Sequence, residues 1–410
     1  MNRLLNTCVL CFIFLVTNNF AGAQEDVAKA GRVTPKELTI PPSPVFDMMG
    51  VTSSQINRTS DIKDFKVDWS FKSWRLNPNL AIQSQPVWEL LYNRKDLSKY
   101  QSASRLMRRF ASLDISIGTV QDENNDRRIG FAAKMNLFRQ KDPLMASELY
   151  AGISEKYKTE REDLEAQLSA LRLKLDTTKD ILSKPALRSQ ILSTNEQLMT
   201  LNSRRNDEIN SRAKVFVNEN WNASSLDVAF GRVYSYKTDS AGSLTSLRLN
   251  RNTGYGGWLN ANIGMGKKFL LSALFRTTWY QEQLDFLIRN QSTNELVSQK
   301  AIADNTLYTM GVNLRYGSYI YTFFIEFLYE QKGLKTPIEA LNEAFNAPKD
   351  FQVVGSTVKW DVVHPNTLSF GGDWRISRSV ILNYGMRCVF DKDWKFTTFT
   401  PVATVSCMMR

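Results

Sequence analysis

At 410 residues, 43% of them hydrophobic, the chain can bury one large core or close one medium-sized barrel. A mean hydropathy of −0.32 argues against a helical membrane protein, and a single histidine, His364, argues against histidine-based metal or triad chemistry. The formal net charge of +11 looks like a nucleic-acid signal, but an exported barrel has little use for one, and no nucleic-acid partner is expected.

The only long apolar run, Val9 to Val16, follows Arg3 and precedes Ala21-Gly22-Ala23. A basic start, a short apolar stretch and a small-x-small site make residues 1–23 a secretory signal peptide, with cleavage expected after Ala23 to leave Gln24. That removes Cys8 and Cys11. Cys388 and Cys407 remain on neighbouring strands but out of register with each other, so two free thiols are expected. Residues 24–60 are polar and contain the compact stretch Pro42-Ser-Pro-Val-Phe-Asp-Met-Met-Gly50. Proline and glycine at that density predict an ordered loop or plug, either inside a barrel lumen or beneath it.

Strands begin next. Phe65, Val67, Trp69 and Phe71 alternate with Asp64, Lys66, Asp68, Ser70 and Lys72. After the Asn77-Pro-Asn turn, Leu80, Ile82, Trp88 and Leu90 oppose Gln83, Gln85 and Glu89. Ala111, Leu113, Ile115 and Ile117 oppose Ser112, Asp114, Ser116 and Gly118. Across the breaker Asp122-Glu-Asn-Asn-Asp126, Ile129, Phe131, Ala133, Met135 and Leu137 oppose Gly130, Lys134 and Asn136. These first strands occupy residues 61–141.

From 142 to 214 the character changes to charged residues with leucines at helical spacing. Leu164, Leu168, Leu171 and Leu175 precede Pro185, and Leu187, Ile191, Leu198 and Leu201 follow it. This predicts an antiparallel coiled-coil hairpin whose first arm reaches on the order of 50 Å. An insertion far longer than any turn requires points to contact with another protein, and Leu164, Leu168, Leu171, Leu187 and Ile191 are the candidate docking residues.

Strand patterning resumes over residues 215–410. Val228, Phe230, Tyr234 and Tyr236 alternate, with Arg232 breaking the register as a bulge would. Further strands follow around Leu259–Met265, Leu271–Trp279 and Tyr308–Tyr316. In Ser318 to Gln331, Tyr321, Phe323, Ile325, Phe327 and Tyr329 oppose Thr322, Glu326 and Glu330. Strands around Leu368–Trp374, Leu382–Phe390 and Phe399–Cys407 end the chain. The total is about twelve, and Phe351 to Val363 can form an extra strand above the membrane. Turns at 266–267, 317–318 and 377 are minimal, whereas 237–253, 284–302 and 334–365 are long. Short turns on one side and long loops on the other, with aromatic-rich apolar faces, predict an all-β membrane protein. It would be an antiparallel transmembrane β-barrel of the bacterial outer membrane, with the helical insertion in the periplasm. A large soluble all-β protein is the competing fold.

One stretch resembles a family of barrel proteins of the Bacteroidota. Ser43-Pro-Val-Phe-Asp-Met-Met-Gly-Val51, Ile56-Asn-Arg58, Asp64-Phe65, Asn79-Leu-Ala-Ile82 and Pro86-Val-Trp88 are similar to that family's Ser-Pro-Ala-Phe, Leu-Gly, Ile-x-Arg-Pro, Asp-Phe, Asn-Leu-Ala-Ile and Pro-Tyr-Trp pattern. The match covers residues 42–90 and departs at Thr59 and Val87. The resemblance implies an outer-membrane barrel and, by analogy, an accessory subunit of an assembly or secretion machine.

No phosphate loop, nucleophile elbow or metal-ligand cluster stands in the sequence, and no cofactor is expected. His364 and Ser369 vaguely suggest a membrane phospholipase, but a loop histidine beside Pro365 reads more simply as solvent-facing. The lumen-facing charges Asp114, Lys134, Arg276, Arg315, Glu326, Asp373 and Arg387 are mixed in sign. So are their neighbours Asp64, Lys66 and Asp68, which predicts a lumen filled by salt bridges, not a ring of one sign around a pore. The leading expectation is a non-enzymatic accessory or structural subunit whose partners are other outer-membrane or periplasmic proteins. A passive or substrate-specific pore is the alternative. Outer-membrane lipids are also expected partners, and Arg105, Arg108, Arg109, Lys267, Lys268, Arg375 and Arg378, near the predicted periplasmic turns, suit anionic headgroups.

Overall fold

A computed structural model describes residues 40–59, 61, 65–72, 79–92, 97–121, 126–180, 182–238, 244–249, 253–336, 351–356 and 365–409. The predicted signal peptide, Asp64 and His364 lie outside the described residues. The chain begins with a short helix, α1 (Pro44–Met49), and strands β1 (Lys66–Lys72) and β2 (Asn79–Ser84). Three small helices follow: α2 (Pro86–Tyr92), α3 (Leu97–Ser102) and α4 (Arg105–Ala111). Strands β3 (Asp114–Gln121) and β4 (Arg127–Arg139) lead to α5 (Ser147–Tyr150) and two long helices, α6 (Ile153–Thr177) and α7 (Lys184–Glu219). The remainder is β5 (Ser225–Thr238), β6 (Leu244–Arg248), β7 (Gly254–Met265), β8 (Phe269–Asn290), β9 (Leu296–Gly317), β10 (Tyr321–Leu334), β11 (Phe351–Ser356), β12 (Asn366–Arg375), β13 (Val380–Phe390) and β14 (Phe396–Met408).

Twelve of these strands form one closed antiparallel barrel. Each pairs with the next in sequence, β6 and β11 excepted, and β1 closes the ring on β14 from Lys66↔Met408 to Lys72↔Val402. The side chains are inverted relative to a soluble protein. Ile82, Ile117, Phe131, Phe230, Leu259, Phe275, Val312, Phe323, Ile325 and Phe370 stand exposed on the outside. Lys66, Asp68, Ser116, Asn262, Arg315, Glu326, Ser369 and Thr404 are buried inside. Covering an outward leucine or phenylalanine is worth about 1.5–3 kcal/mol, so a ring of them is stable only in lipid. The fold is a twelve-stranded transmembrane β-barrel.

Several elements differ from expectation. Trp88 and Leu90 are not strand residues, because Pro86, with φ pre-set for a first helical turn, starts α2 and turns the chain off the wall. Ala111 likewise ends α4 and does not begin β3. Arg232 marks no bulge. The β4–β5 and β5–β7 registers run through it unbroken, and its guanidinium lies 4.4 Å from the Tyr234 ring and 4.1 Å from the Tyr255 ring. Stacking on two aromatic faces lets a charge stay in an outward position without a kink. Residues 284–302 are not a loop but the paired continuation of β8 and β9, each 22 residues long and about twice what a membrane crossing needs. β11 adds to the far end of that ribbon, at Phe351↔Asn290, as the extra strand outside the barrel.

Strand parity places the α2–α4 segment, the long helices and the turns after β7, β9 and β12 at one end of the barrel. The β8–β9 ribbon lies at the other. Cys388 pairs with Phe399 and Cys407 with Val380, and both thiols are free.

Candidate functional site

The lumen is not left to wall side chains. Residues 40–59 run through it and are almost entirely buried, with Val45, Phe46, Val51 and Ile56 each at 0% exposure. The segment's local form follows from its sequence. Pro44 occupies the first turn of α1, and Gly50, at φ 67, takes the left-handed position that ends it, sending its N–H to Asp47 O and that of Val51 to Phe46 O.

The wall complements both ends of this helix. At the N-terminal end, Asp68 Oδ2 accepts from the Ser43 N–H at 2.6 Å and the Ser43 hydroxyl at 2.5 Å. Lys66 Nζ, 2.8 Å from that carboxylate, donates to Pro41 O at 2.6 Å. At the C-terminal end the exposed carbonyls meet cations. Arg128 donates to Met49 O at 3.1 Å, and Arg387 donates to Gly50 O at 3.0 Å and Thr52 O at 2.8 Å. Anion at the amino end and cation at the carboxyl end satisfy the orphan backbone groups and the helix dipole together, which orients α1 in the lumen.

Beyond the helix, the bend 53–57 is held by Glu326. Its Oε2 accepts from Ser54 Oγ at 2.6 Å, the Ile56 N–H at 3.0 Å and Asn313 Nδ2 at 3.1 Å, and its Oε1 accepts from the Gln55 N–H at 3.0 Å. Arg276 donates to Gln55 Oε1 at 2.9 Å, and Arg315 donates to Ile56 O at 3.2 Å and to Asp373 Oδ2 at 2.5 Å. Arg58 approaches the same Asp373 oxygen at 3.5 Å, and Thr59 donates to Asp227 at 2.8 Å, which pairs with Lys134 at 3.5 Å. All seven predicted lumen charges therefore point inward. The expected salt bridges are there in part, at Lys134–Asp227 and Arg315–Asp373, yet Glu326, Arg276 and Arg387 serve the plug and not one another. Asp114 is buried in the same lumen.

The plug also has an apolar face. Val45, Phe46, Met49, Val51 and Ile56 pack with Ala81, Val120, Ala132, Ala229, Val233, Trp258, Leu274 and Leu328 of the wall. Room for it comes from inward-facing glycines on adjacent strands. A Cβ at Gly118 would lie 2.9 Å from Val45, at Gly130 2.5 Å from Met49 and 3.0 Å from Val45, and at Gly231 2.5 Å from Met48. These glycines, together with Arg128, Asp227 and Asn260, whose Nδ2 donates to Asn57 O of the plug, were not among the predicted site residues. The available signal was small residues recurring at polar-face positions of consecutive strands. Replacing Gly130 by Val should displace α1 at a cost of about 1–3 kcal/mol, and a Met49→Ala change in the same chain should recover part of it. Denaturant midpoints of the two variants and the double variant test this by their non-additivity.

The second feature is the helical arm. α6 has 25 residues, about 38 Å, so the first arm is shorter than expected. α7 has 36, about 54 Å, and runs to Glu219, beyond the predicted limit of 214. Pro185 starts α7. The arms are pinned by Lys156–Glu208 at 2.9 Å, Arg204–Glu160 at 2.6 Å and Arg161 Nη2 donating to Asn202 at 3.1 Å. The five candidate docking residues lie differently from expectation. Leu164, Leu168 and Leu187 are buried and Leu171 and Ile191 half-buried, and in a two-helix arm only the opposite helix can cover them. They hold the arm together. The apolar side chains left exposed on the described residues of the arm are Leu173, Leu182, Leu192, Met199 and Val215, with Leu182 at 89% exposure.

The Glu208 carboxyl is held below the usual range by its hydrogen bond from Lys156, with Tyr157 and Arg212 also donating. A depressed carboxylate contributes stability above its unfolded pKa and loses it as pH falls. Acidification through the carboxylate range should therefore fray the arm near Glu208 while the barrel stays folded, which amide exchange measured at stepped pH would register.

The arm is rooted rigidly. Trp221, Phe216, Val217 and Ala213 pack with Leu149, Leu270 of β8 and Tyr319 of the β9–β10 turn. Trp221 Nε1 donates to Lys267 O at 3.1 Å, and Asn222 Nδ2 donates to Gly266 O at 2.9 Å and Phe269 O at 2.7 Å. Arg58, at the end of the plug, lies 5.7 Å from the Trp221 ring, so plug and arm meet at one side chain. Ser369 is buried in the lumen wall.

No family model and no curated protein matches the chain. Among solved structures it is similar to the translocator domain of the autotransporter NalP from Neisseria meningitidis, at 8% identity over 88% of this chain and 93% of that one, with a TM-score of 0.33. It is also similar to the toluene transporter TodX of P. putida, at 7% identity over 84% and 89%, TM-score 0.26. A third is OmpF of Salmonella typhi, at 7% identity over 84% and 96%, TM-score 0.26. At such values the likeness bears on neither activity nor substrate.

Proposed function

We propose that this chain is a plugged, non-conducting barrel of the bacterial outer membrane, serving as a non-enzymatic accessory or structural subunit of an envelope protein complex. The observation that carries this reading is the pairing of a filled lumen with a rooted arm. Residues 40–59 occupy the interior through charge-assisted bonds from many strands, which suits a scaffold better than a conduit. A 36-residue helix fixed to the barrel end by Trp221 and Asn222 projects away from it, which suits a docking element. In this reading the arm lies in the periplasm and meets a periplasmic or outer-membrane protein. The resemblance of residues 42–90 to Bacteroidota barrels is in keeping with it, and those residues include the ones that seat the plug, Ser43, Gly50, Ile56 and Arg58.

The test removes the arm beyond its root. Deleting residues 162–201 and joining Arg161 to Asn202, which already face each other, leaves the root cluster intact. Native-level expression, mild detergent extraction and mass spectrometry of co-purifying proteins should then show stoichiometric envelope companions for the full chain and their loss for the truncated one. Unchanged companions would sink the docking role. A full-length chain that purifies alone and conducts in planar bilayers would instead establish the alternative, a pore.

A further inference from the structure

Between the end of β2 at Ser84 and the start of β3 at Asp114, α2, α3 and α4 form a collar around Trp88, Tyr92, Leu97, Tyr100 and Ala111. The three rings pack at centroid distances of 5.4 to 5.7 Å, and the cluster is completed by Leu144 from the segment after β4. The collar is tied to that segment by Tyr100 donating to Asp142 at 2.9 Å and Gln101 donating to Leu144 O at 2.6 Å. With that core satisfied, Leu106, Met107 and Phe110 of α4 nonetheless stay exposed, Leu106 at 60%. Leu106 and Phe110, one turn apart, share a face with Met107. Arg105 and Arg109, also one turn apart, share the other with Arg108. Among the described collar residues 86–92 and 97–111 there are four cations, Lys99, Arg105, Arg108 and Arg109, and one carboxylate, Glu89.

The apolar face continues a surface already assigned to lipid. β2 and β3 pair directly, and their outward side chains Leu80, Ile82, Ile115 and Ile117 belong to the barrel's exposed belt. Phe110 precedes Ile115 by five residues. An amphipathic helix with large apolar side chains on one face and arginines on the other is suited to the plane of a bilayer surface, its long cationic stems reaching the headgroups. We infer that α4 lies in the membrane surface at the short-turn end of the barrel. Leu106, Met107 and Phe110 enter the acyl region there, and Arg105, Arg108 and Arg109 engage anionic phospholipid headgroups. The collar thus binds lipid independently of anything the helical arm docks.

The full chain, with Cys8, Cys11, Cys388 and Cys407 each replaced by Ser, is placed in nanodiscs of phosphatidylcholine with or without phosphatidylglycerol. A fluorophore is attached at Leu106→Cys or Phe110→Cys, with Ile117→Cys as the belt reference and Leu182→Cys as the solvent reference. Spin-labelled acyl chains should quench the Leu106 and Phe110 probes as they quench the Ile117 probe, and aqueous iodide should fail to reach them. The combined changes Arg105→Gln, Arg108→Gln and Arg109→Gln should lower the ratio of protected to exposed probe in phosphatidylglycerol discs, by about fivefold for each arginine removed. Iodide access at Leu106 and Phe110 matching that at Leu182 would overturn the surface placement and leave the face to a protein partner. Equal quenching with and without phosphatidylglycerol would overturn the role of the arginines. Neither result bears on the docking arm, whose test is co-purification.

Discussion

Replacing Glu326 by Ala should unseat the plug while leaving the barrel closed. The carboxylate accepts from the Gln55 and Ile56 N–H groups, the Ser54 hydroxyl and the Asn313 amide, and it is fully buried. Its loss strands two backbone donors, the Gln55 and Ile56 N–H groups, away from water, at about 1–3 kcal/mol each where no new partner is found. Ser54 Oγ, by contrast, keeps Ile56 O at 2.8 Å, and the Asn313 amide keeps Ser54 Oγ at 3.1 Å. Breaking a buried charged network of this kind typically costs about 3–5 kcal/mol. The strand itself keeps its ladder bonds to β9 and β12 and its lipid-facing row, so heat-modifiable migration of the folded barrel should persist. Residues 51–57 should become cleavable by protease in the variant, and channel events in planar bilayers should be more frequent than for the parent chain, which the proposed plugged barrel requires to be silent. Glu326→Gln, which keeps one acceptor, should fall between the two. Protection of 51–57 unchanged from the parent would mean that the wall glycines and the two ends of α1 seat the plug without this carboxylate.

Trp221→Ala should have the second large effect, because one side chain serves two elements. It fills the root cluster with Phe216, Leu270 and Tyr319, donates to Lys267 O, and offers its ring to Arg58 of the plug. Truncating a buried tryptophan costs about 3–5 kcal/mol through the cavity it leaves. The arm should then swing relative to the barrel. Spin labels at the arm tip and on the β9–β10 turn would give a broad distance distribution in the variant and a narrow one in the parent. Arg58 should also lose ordering, so the plug's C-terminal end should exchange amide protons faster, whereas α1, held by Asp68, Arg128 and Arg387, should not. Uniform acceleration across residues 40–59 would instead indicate that the plug leaves as one unit.

The legible and illegible parts of this chain divide by the range of the interaction that specifies them. Strand alternation is a property of neighbouring residues, so the run Tyr321 to Gln331 announces its two faces without any knowledge of its partners. The same is true of the lumen charges: Arg315, Glu326 and Asp373 point inward because outward neighbours such as Leu314, Ile325 and Trp374 belong in lipid. What those charges bind was not readable. Glu326 meets Ser54 from 272 positions away, and no periodicity relates the two. Leu164, Leu168 and Leu187 were visible as a helical stripe, but a stripe does not say whether it faces a second arm of the same chain or a partner. The second arm is joined by a short link and is at hand, so it wins.

The amino-acid sequence by itself determined a barrel of about twelve strands with an inverted surface, a two-helix insertion at the end that carries the short turns, and a set of mixed charges facing the lumen. Each follows from a repeat of two or of three to four residues, which local geometry enforces. Only the tertiary structure decided that residues 40–59 fill that lumen, that the chain after Pro86 leaves the wall as a collar, and that Trp221 ties arm to barrel. Those depend on which distant strands become neighbours when the ring closes. Gly118, Gly130 and Gly231 form one recess only because β3, β4 and β5 lie side by side, with α1 beneath them.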